Sequence, residues 1–246
     1  MEWSDKGIIL SARKHGEGSL IVQLLTESHG RHAGLVRGGT GKRGRGVYLP
    51  GNIVTATWRA RLSDHLGNFT CELSESRAAT LLGDPVKLAA LSSLCAVAEA
   101  ALPERQAHPA VHRGFQIVLD ALDRGDWHAA YVRWELGVLA ELGYGLDLSH
   151  CAATGRNDTL AYVSPKSGRA VSLSAGEPYR DKLLPLPGFL IGGATATAAE
   201  VRAGLELTGY FLETRLFAPE GRTVPAARHR LIDRLKESPE TTAPIS

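Results

Sequence analysis

The chain has 246 residues, of which 43% are hydrophobic and 22% are charged, a composition typical of a folded globular protein. This composition excludes intrinsic disorder for most of the chain, and the length fits one or two domains. No apolar run approaches the roughly 18 residues of a membrane-spanning helix, and the acidic N-terminus is wrong for a secretory signal. Three widely spaced cysteines, Cys71, Cys95 and Cys151, cannot form a disulfide framework, so we expect a reducing cytoplasm.

The net charge of +2 is distributed unevenly along the chain. Residues 1–77 hold 11 Lys and Arg against 7 Asp and Glu, whereas the rest holds 17 against 19. No acidic residue lies between Glu27 and Asp64, although seven basic residues do: Arg31, Arg37, Lys42, Arg43, Arg45, Arg59 and Arg61. A solvated loop with a basic bias would give the same count. The functional interpretation is a field that attracts polyanions such as nucleic acids.

Residues 7–76 have the pattern of five short β-strands, separated by glycine-containing turns at intervals of roughly 8–12 residues. This spacing predicts a small barrel of the OB type over residues 1–78, although an SH3-like barrel fits almost as well. One strand alternates apolar and polar residues and reaches past Arg61. The alternation places Trp58 on the buried side and Arg59 on the solvent side.

From Asp84 the apolar residues follow a helical period. Asp84 followed by Pro85 is a helix start, and three helices fit between this point and residue 142. Thr197 and Glu200 form a capping box that opens another helix, and a last helix covers about 225–237. We therefore predict an α+β fold, with the barrel first, a helical domain over 79–237 second, and a flexible tail at 238–246. A small insert with one β-hairpin occupies about 145–195.

Several motifs that would carry enzymatic chemistry fail on inspection. Gly39–Gly44 matches G-x-G-x-x-G but runs into another strand, not a helix, so it is not a dinucleotide fingerprint. Cys151 has no second cysteine at metal-ligand spacing, and no catalytic signature appears. We predict no enzyme, no cofactor and no metal, and a hydrolase built from scattered residues stays as an alternative.

The remaining candidate is nucleic-acid binding by the barrel. We expect the loop Gly38–Gly46 to be a mobile hairpin that grips phosphate, and the strands to add a second wet surface. The predicted DNA-binding residues are Arg13, Lys14, Arg31, Arg37, Lys42, Arg43, Arg45, Arg59 and Arg61. The aromatic candidates for base stacking are Tyr48, Trp58, Phe69, His15 and His32; for Trp58 we favour a core position.

Several blocks of sequence resemble one bacterial family. They are the opening G-I-I-L-S-A-R-K-H-G-E, L-L-T-E-S-H-G-R with V-R-G-G after it, R-W-E-L-G-V-L-A-E-L-G-Y-G, L-D-L-S-H-C-A-A-T-G and Y-V-S-P-K-S-G-R-A-V-S. The chain resembles the RecO recombination mediators from about residue 3 to about residue 235. Some members carry a four-cysteine zinc insert, of which only Cys151 is left here.

The resemblance implies a non-enzymatic role in the RecF pathway of DNA repair. Such a protein binds single- and double-stranded DNA, anneals complementary strands and, with RecR, helps load RecA onto DNA coated by single-strand-binding protein (SSB). It implies a cytoplasmic, nucleoid-associated protein with no membrane partner. An OB-fold RNA-binding or ribosome-associated factor is the alternative, because the charge pattern does not separate RNA from DNA.

One residue outside the barrel is a candidate for partner binding. Arg133 lies on the predicted polar strip of a mostly buried helix, with the small residues Gly137 and Ala140 beside it. A cation next to a shallow trough suits an acidic peptide that ends in an apolar residue and a carboxylate. The resemblance also assigns the arginine of this helix to binding of the SSB tail. A surface arginine paired with Glu141 or a neighbouring helix is the alternative.

Overall fold

The computed structural model describes residues 1–42, 44–193 and 196–237, and at residue 45 it describes the backbone only. Arg43 and the predicted tail 238–246 lie outside the described residues. The chain divides into two compact units, the first made of Met1–Asp123 with Pro225–Leu231 and the second of Arg124–Val224 with the segment from Ile232. The boundary predicted at residue 78 stays a prediction.

The first unit begins with five strands that close into a barrel in the order β1-β2-β3-β5-β4. The strands are β1 (Glu2–His15), β2 (Ser19–Thr26), β3 (Gly30–Val36), β4 (Ile53–Arg59) and β5 (Asn68–Glu75). Neighbouring strands are antiparallel except β3 and β5, which pair in parallel where Leu35 faces Asn68. Five strands in this order confirm the predicted α+β class with an OB-type barrel.

The barrel encloses its own hydrophobic core. The core residues are Ile9, Leu20, Val22, Leu24, Val36, Val54, Ala56, Trp58 and Phe69. Trp58 is only 2% exposed, which confirms its predicted buried side. Gly67 has φ of +65°, and a Cβ there would lie 2.4 Å from the indole nitrogen of Trp58, so only glycine fits this end of the loop.

Helices complete the first unit, and one of them, α3, begins at a capping residue identified in the sequence. The barrel carries the single turn α1 (Gly44–Val47), followed by α2 (Arg77–Thr80), α3 (Pro85–Ala101) and α4 (Pro109–Arg124). The Asp84 carboxylate accepts hydrogen bonds of 3.0 Å from the amides of Val86 and Lys87, which caps α3 as predicted.

The second unit combines helices with a small sheet. Its elements are α5 (Trp127–Glu141), β6 (Leu160–Val163), β7 (Ala170–Ser172), α6 (Leu173–Gly176), β8 (Leu184–Pro185) and α7 (Ala198–Phe211). The three strands are ordered β7-β6-β8, and the β6–β7 pair is the predicted hairpin. Thr197 and Glu200 form the predicted capping box of α7. The last described helix is α8 (Ala226–Glu237), whose residues up to Leu231 belong to the first unit and the rest to the second. No described helix is long and apolar enough to cross a membrane.

Candidate nucleic-acid interface

Three exposed cations lie at one end of the barrel. The register pairs Lys14 with Leu20 and Leu20 with Val36, so Lys14 and Arg37 flank the same row of the sheet. The amide of Thr40 donates to the carbonyl of Gly18, which holds the loop of Lys42 against the β1–β2 turn. We call Lys14, Arg37 and Lys42 the cationic rim. Among the described residues no ion pair is recorded for any of the three.

The loop that carries Lys42 has a different shape from the predicted hairpin. The amide of Gly41 donates to the carbonyl of Gly38 at 3.2 Å, and the amide of Gly44 donates to that of Gly41 at 3.0 Å. The segment enters the single turn α1 at Gly44, so the expectation of a hairpin was wrong, and so was the expectation that these glycines run into a strand and not a helix. Arg45 belongs to α1 by its backbone, and the predicted phosphate contact of Arg43 falls outside the described residues.

Arg13 and Arg59 each have an acidic partner within the first unit. Arg13 donates to Glu99 of α3 at 2.7 Å, and Arg59 donates to Glu2 at 2.7 Å. The hydrogen bond between Arg59 and Glu2 is the main reason that the pKa of Glu2 is lowered and that of Arg59 is raised. These exposed pairs are weak, so they lower the free positive charge without removing the side chains from solvent.

The strands do not present the single wet surface that we expected to be shared by Arg13, Lys14, Arg59 and Arg61. Arg59 lies beside the first residue of β1, whereas Arg13 lies near its last. Lys14 follows Arg13 directly, and consecutive strand residues point to opposite faces. The strand also ends at Arg59, so Arg61 lies in the following loop and not on the same strand face.

Arg31 does not extend the cationic rim, because it lies at the other end of β3 from Arg37. Its side chain is mostly buried, and Nε donates to the carbonyl of Leu102 at 2.7 Å. One terminal nitrogen also contacts Glu104 at 3.2 Å. A guanidinium engaged in this way holds the end of α3 against the barrel, and the sequence could not show that contact.

The aromatic side chains of the barrel are mostly part of its interior. His32, Trp58 and Phe69 are all buried and are not available for base stacking. The stacking expectation was wrong for His32 and Phe69, whereas the core position favoured for Trp58 is confirmed. Sequence analysis missed Trp3, which is half-buried and stacked on His29 with ring centroids 3.9 Å apart. It was missed because the first predicted strand began at residue 7, and Trp3 is the only apolar residue between Glu2 and Lys6, so no alternation marks the start of β1.

In the second unit, Arg133 is exposed on α5 as predicted. One terminal nitrogen donates to the carbonyl of Phe189 at 2.8 Å, and its guanidinium lies 5.5 Å from the centre of that ring. Gly137 and Ala140 are also exposed, and a Cβ at Gly137 would have open space around it. The structure therefore places a cation beside a strip of small residues.

The small insert contains two turns of the same kind. The amide of Gly155 donates to the carbonyl of Cys151, and the amide of Gly168 donates to that of Ser164, each at 2.8 Å. Both glycines have φ near +70°. Thr154 and Ser167 stand one residue before these glycines.

The side chains in these turns do not provide the ligands of a structural zinc site. Zinc in such sites takes thiolates or imidazoles, and here a single thiol is accompanied by hydroxyls. The Cys151 sulfur instead contacts Ser172, whose amide donates to it at 3.2 Å. Burial raises the pKa of this thiol, but donation from Ser172 and nearby groups outweighs burial and brings it to about 6. Within residues 1–42, 44–193 and 196–237, no group of three candidate ligands is found.

Two family models match this chain. Residues 1–77 match the family described as "Recombination protein O N terminal", and residues 82–223 match "Recombination protein O C terminal". The chain belongs to the RecO family. RecO relatives match over nearly the full length of this chain and of the relatives themselves.

Three of the relatives are each named "DNA repair protein RecO". The protein from Rhodospirillum centenum is 56% identical over 98% of this chain and 98% of its own length. The RecO protein of Rhodospirillum rubrum is 52% identical over 96% and 97%, and that of Cereibacter sphaeroides is 49% identical over 96% and 99%. The resemblance inferred from the sequence blocks is thereby confirmed.

Proposed function

We propose that this chain is a non-enzymatic mediator of DNA repair and homologous recombination that binds single- and double-stranded DNA and anneals complementary strands. With RecR it would help load RecA onto DNA coated by SSB. The proposal is supported above all by membership of the RecO family along almost the whole chain. An RNA-binding role is an alternative outcome of the tests below and has no observation of its own.

The cationic rim supplies the chemistry for DNA binding. Lys14, Arg37 and Lys42 are exposed and lack recorded acidic partners in the described part of the chain, so their charges are available to phosphate. Neutralised phosphates release counterions, a gain that depends on salt and not on base sequence. Arg61, exposed in the loop after β4, would add to the positive field, whereas Arg13 and Arg59 would contribute less because each already faces a carboxylate.

A variant with all three rim residues changed to alanine tests this proposal. Affinity for single-stranded DNA should fall at every base composition, and the slope of log K against log salt should decrease by about two, or roughly 0.7 per lost contact. The matched control changes Lys166, Lys182 and Arg202, three exposed cations of the second unit, to alanine. It removes the same charge and should leave the slope unchanged.

Both variants would be measured with single-stranded DNA, duplex DNA and RNA of the same sequence, followed by a strand-annealing assay. If the rim variant and its control lose DNA affinity equally, net charge alone accounts for binding. If the rim variant loses no affinity, the proposal that the cationic rim binds DNA is contradicted. Preference for RNA over both DNA forms, without annealing, would favour the alternative function.

Arg133 supports the proposed contact with the SSB tail. Its guanidinium projects beside the open surface at Gly137, where an apolar side chain could lie while a carboxylate meets the cation. Arg133→Ala should weaken binding of a labelled tail peptide by roughly 1–3 kcal/mol, as expected for loss of a charge-assisted hydrogen bond. DNA affinity should not change.

Arg133→Lys distinguishes a role in binding the tail peptide from a role in holding the chain at Phe189. Lysine keeps the charge but cannot reproduce the planar fork, so peptide binding should recover only in part. Peptide binding by the alanine variant at the wild-type level would show that Arg133 serves only to hold the chain at Phe189.

A further inference from the structure

One buried side chain joins the loop of the cationic rim to the rest of the first unit. Asn52 stands directly before β4 and is fully buried. Its amide nitrogen donates to the carbonyls of Gly46 at 2.8 Å and Val47 at 3.2 Å, both in α1. Its amide oxygen accepts from the amide of Ala78 in α2 at 3.1 Å. Both ends of the side chain are therefore engaged by the main chain of other elements.

The polarity of this amide matches the two helix ends that it contacts. The last carbonyls of a helix lack donors, and the first amides lack acceptors. Gly46 and Val47 end α1, so the amide nitrogen supplies the donor that they need. Ala78 is the second residue of α2, whose N-cap residue Ser76 makes no side-chain cap bond, so the oxygen of Asn52 takes that place. One residue thus caps the C-terminus of α1 and the N-terminus of α2.

The main chain of Asn52 is tied to the barrel. The amide of Ile9 donates to the carbonyl of Asn52 at 2.9 Å, and the amide of Gly51 donates to the carbonyl of Ile9 at 2.8 Å. These bonds join Asn52 to the middle of β1, so its side chain extends from a fixed point. The end of α1 is therefore attached to the barrel wall and to α2 at the same place.

The other end of α1 holds the loop that carries Lys42. Gly44 begins α1, and its amide donates to the carbonyl of Gly41. A Cβ at Gly44 would lie 2.0 Å from the carbonyl oxygen of Gly39, so the start of α1 packs directly on the loop. Lys42 stands two residues before Gly44, and its position therefore depends on that of α1.

We propose that Asn52 is a positioning residue for DNA binding, which by holding α1 sets the place where Lys42 of the cationic rim meets phosphate. This inference rests on the proposed function, since it assumes that the rim binds DNA. Asn52 is buried and acts only through α1. A cation on a loosely held loop loses conformational entropy when it binds phosphate, and a loop that is fixed beforehand avoids that cost.

Asn52→Leu tests this inference, because leucine is similar in size and its side chain makes no hydrogen bonds. With α1 released, Lys42 should lose its phosphate contact. The slope of log K against log salt for single-stranded DNA should then decrease by about 0.7, which at about 0.1 M salt is about a fivefold loss of affinity. Affinities are compared at a temperature at which chemical denaturation shows each variant to be folded.

Combination with rim variants shows whether Asn52 acts through Lys42. Added to Lys42→Ala, Asn52→Leu should cause no further loss of affinity, because the contact that it disturbs is already absent. Added to Lys14→Ala, it should cause the same loss as it does in the wild-type protein. A further loss in the Lys42→Ala background would overturn the inference.

The matched control is Thr26→Val, which also removes a fully buried, uncharged hydrogen-bonding group from the barrel. The Thr26 hydroxyl accepts from the amide of His29 at 3.0 Å, at the β2–β3 turn. This variant should lose stability but bind DNA as the wild-type protein does. Equal losses of affinity in Thr26→Val and Asn52→Leu would overturn the inference, because DNA binding would then follow the stability of the barrel.

Gly44→Ala disturbs the same contacts without a change at the buried amide, and it replaces Asn52→Leu if that variant does not fold. It should give the same losses of affinity and slope, because the added methyl group must displace the loop from α1. Wild-type affinity in Asn52→Leu or Gly44→Ala, with Lys42→Ala weakened, would overturn the inference and leave the cationic rim in place. Wild-type affinity in Lys42→Ala would overturn the inference together with the proposed phosphate contact of Lys42.

Discussion

His32 should make the free energy of unfolding of the first unit fall at acidic pH. Its ring is 4% exposed and lies edge-on to Trp58, with centroids 4.8 Å apart. Neither ring nitrogen has a hydrogen-bond partner among the described residues. Burial, reinforced by the charge of Arg105 and by His29 and opposed by Glu104, lowers the pKa of His32 to about 4.

The sign and size of the effect follow from the difference between folded and unfolded states. The unfolded chain binds a proton at His32 below a pKa of about 6.5, whereas the folded protein does so only below about 4. Stability from this residue is therefore complete above pH 6.5 and is lost as the pH falls toward 4. Between pH 7.5 and pH 5 the free energy of unfolding should fall by about 2 kcal/mol on this account.

His32→Leu tests this reasoning, since leucine is similar in size and does not titrate. Chemical denaturation at pH 7.5 and pH 5 gives the pH-dependent loss for each protein, and the loss should be about 2 kcal/mol smaller in the variant than in wild type. His15→Leu is the control, because His15 lies exposed at the β1–β2 turn. The same pH-dependent loss in wild type and His32→Leu would refute the assignment.

Three further substitutions test contacts that hold the first unit together. Gly34→Ala places a Cβ 2.3 Å from the ring of buried Phe69 and should lower the free energy of unfolding by about 1–3 kcal/mol, so unchanged denaturation would contradict the packing. Asp84→Ala removes the cap of α3 and should cost about 1 kcal/mol in the same measurement, whereas Asp84→Asn should cost less; equal losses would argue against a capping role. Arg31→Ala leaves the carbonyl of Leu102 without its donor and should cost about 1–3 kcal/mol while the salt dependence of DNA binding stays constant. A reduced salt slope in that variant would instead show that Arg31 contacts phosphate.

The elements predicted with success depend on residues close together in sequence. Asp84 with Pro85 and Thr197 with Glu200 are helix starts that act within one turn, and the structure shows both. The OB-type barrel could not be separated from an SH3-like one by pattern. The parallel pairing of β3 with β5 decides it, and that pairing joins residues more than 30 positions apart.

The candidate site was harder to predict because charges find partners across long stretches of sequence. Arg13 meets Glu99 and Arg31 meets Leu102, and neither partner is visible to a count of local charge. The sequence prediction treated all nine candidate DNA-binding cations alike. The fold distributes the described ones among ion pairs, a buried anchor and the exposed rim, and only three-dimensional register distinguishes these states.

The closure of the barrel determines how other molecules can attach to it. A sheet with open edges offers unpaired amides and carbonyls to which a foreign strand can add. Here β1 pairs with β4 over residues 2–8 and with β2 over residues 7–15, so only Gly7 and Ile8 have a strand on both sides. The two parts of β1 therefore each keep one side without a strand neighbour in the barrel. Another chain could contact this barrel through its main chain there, as well as through side chains and turns.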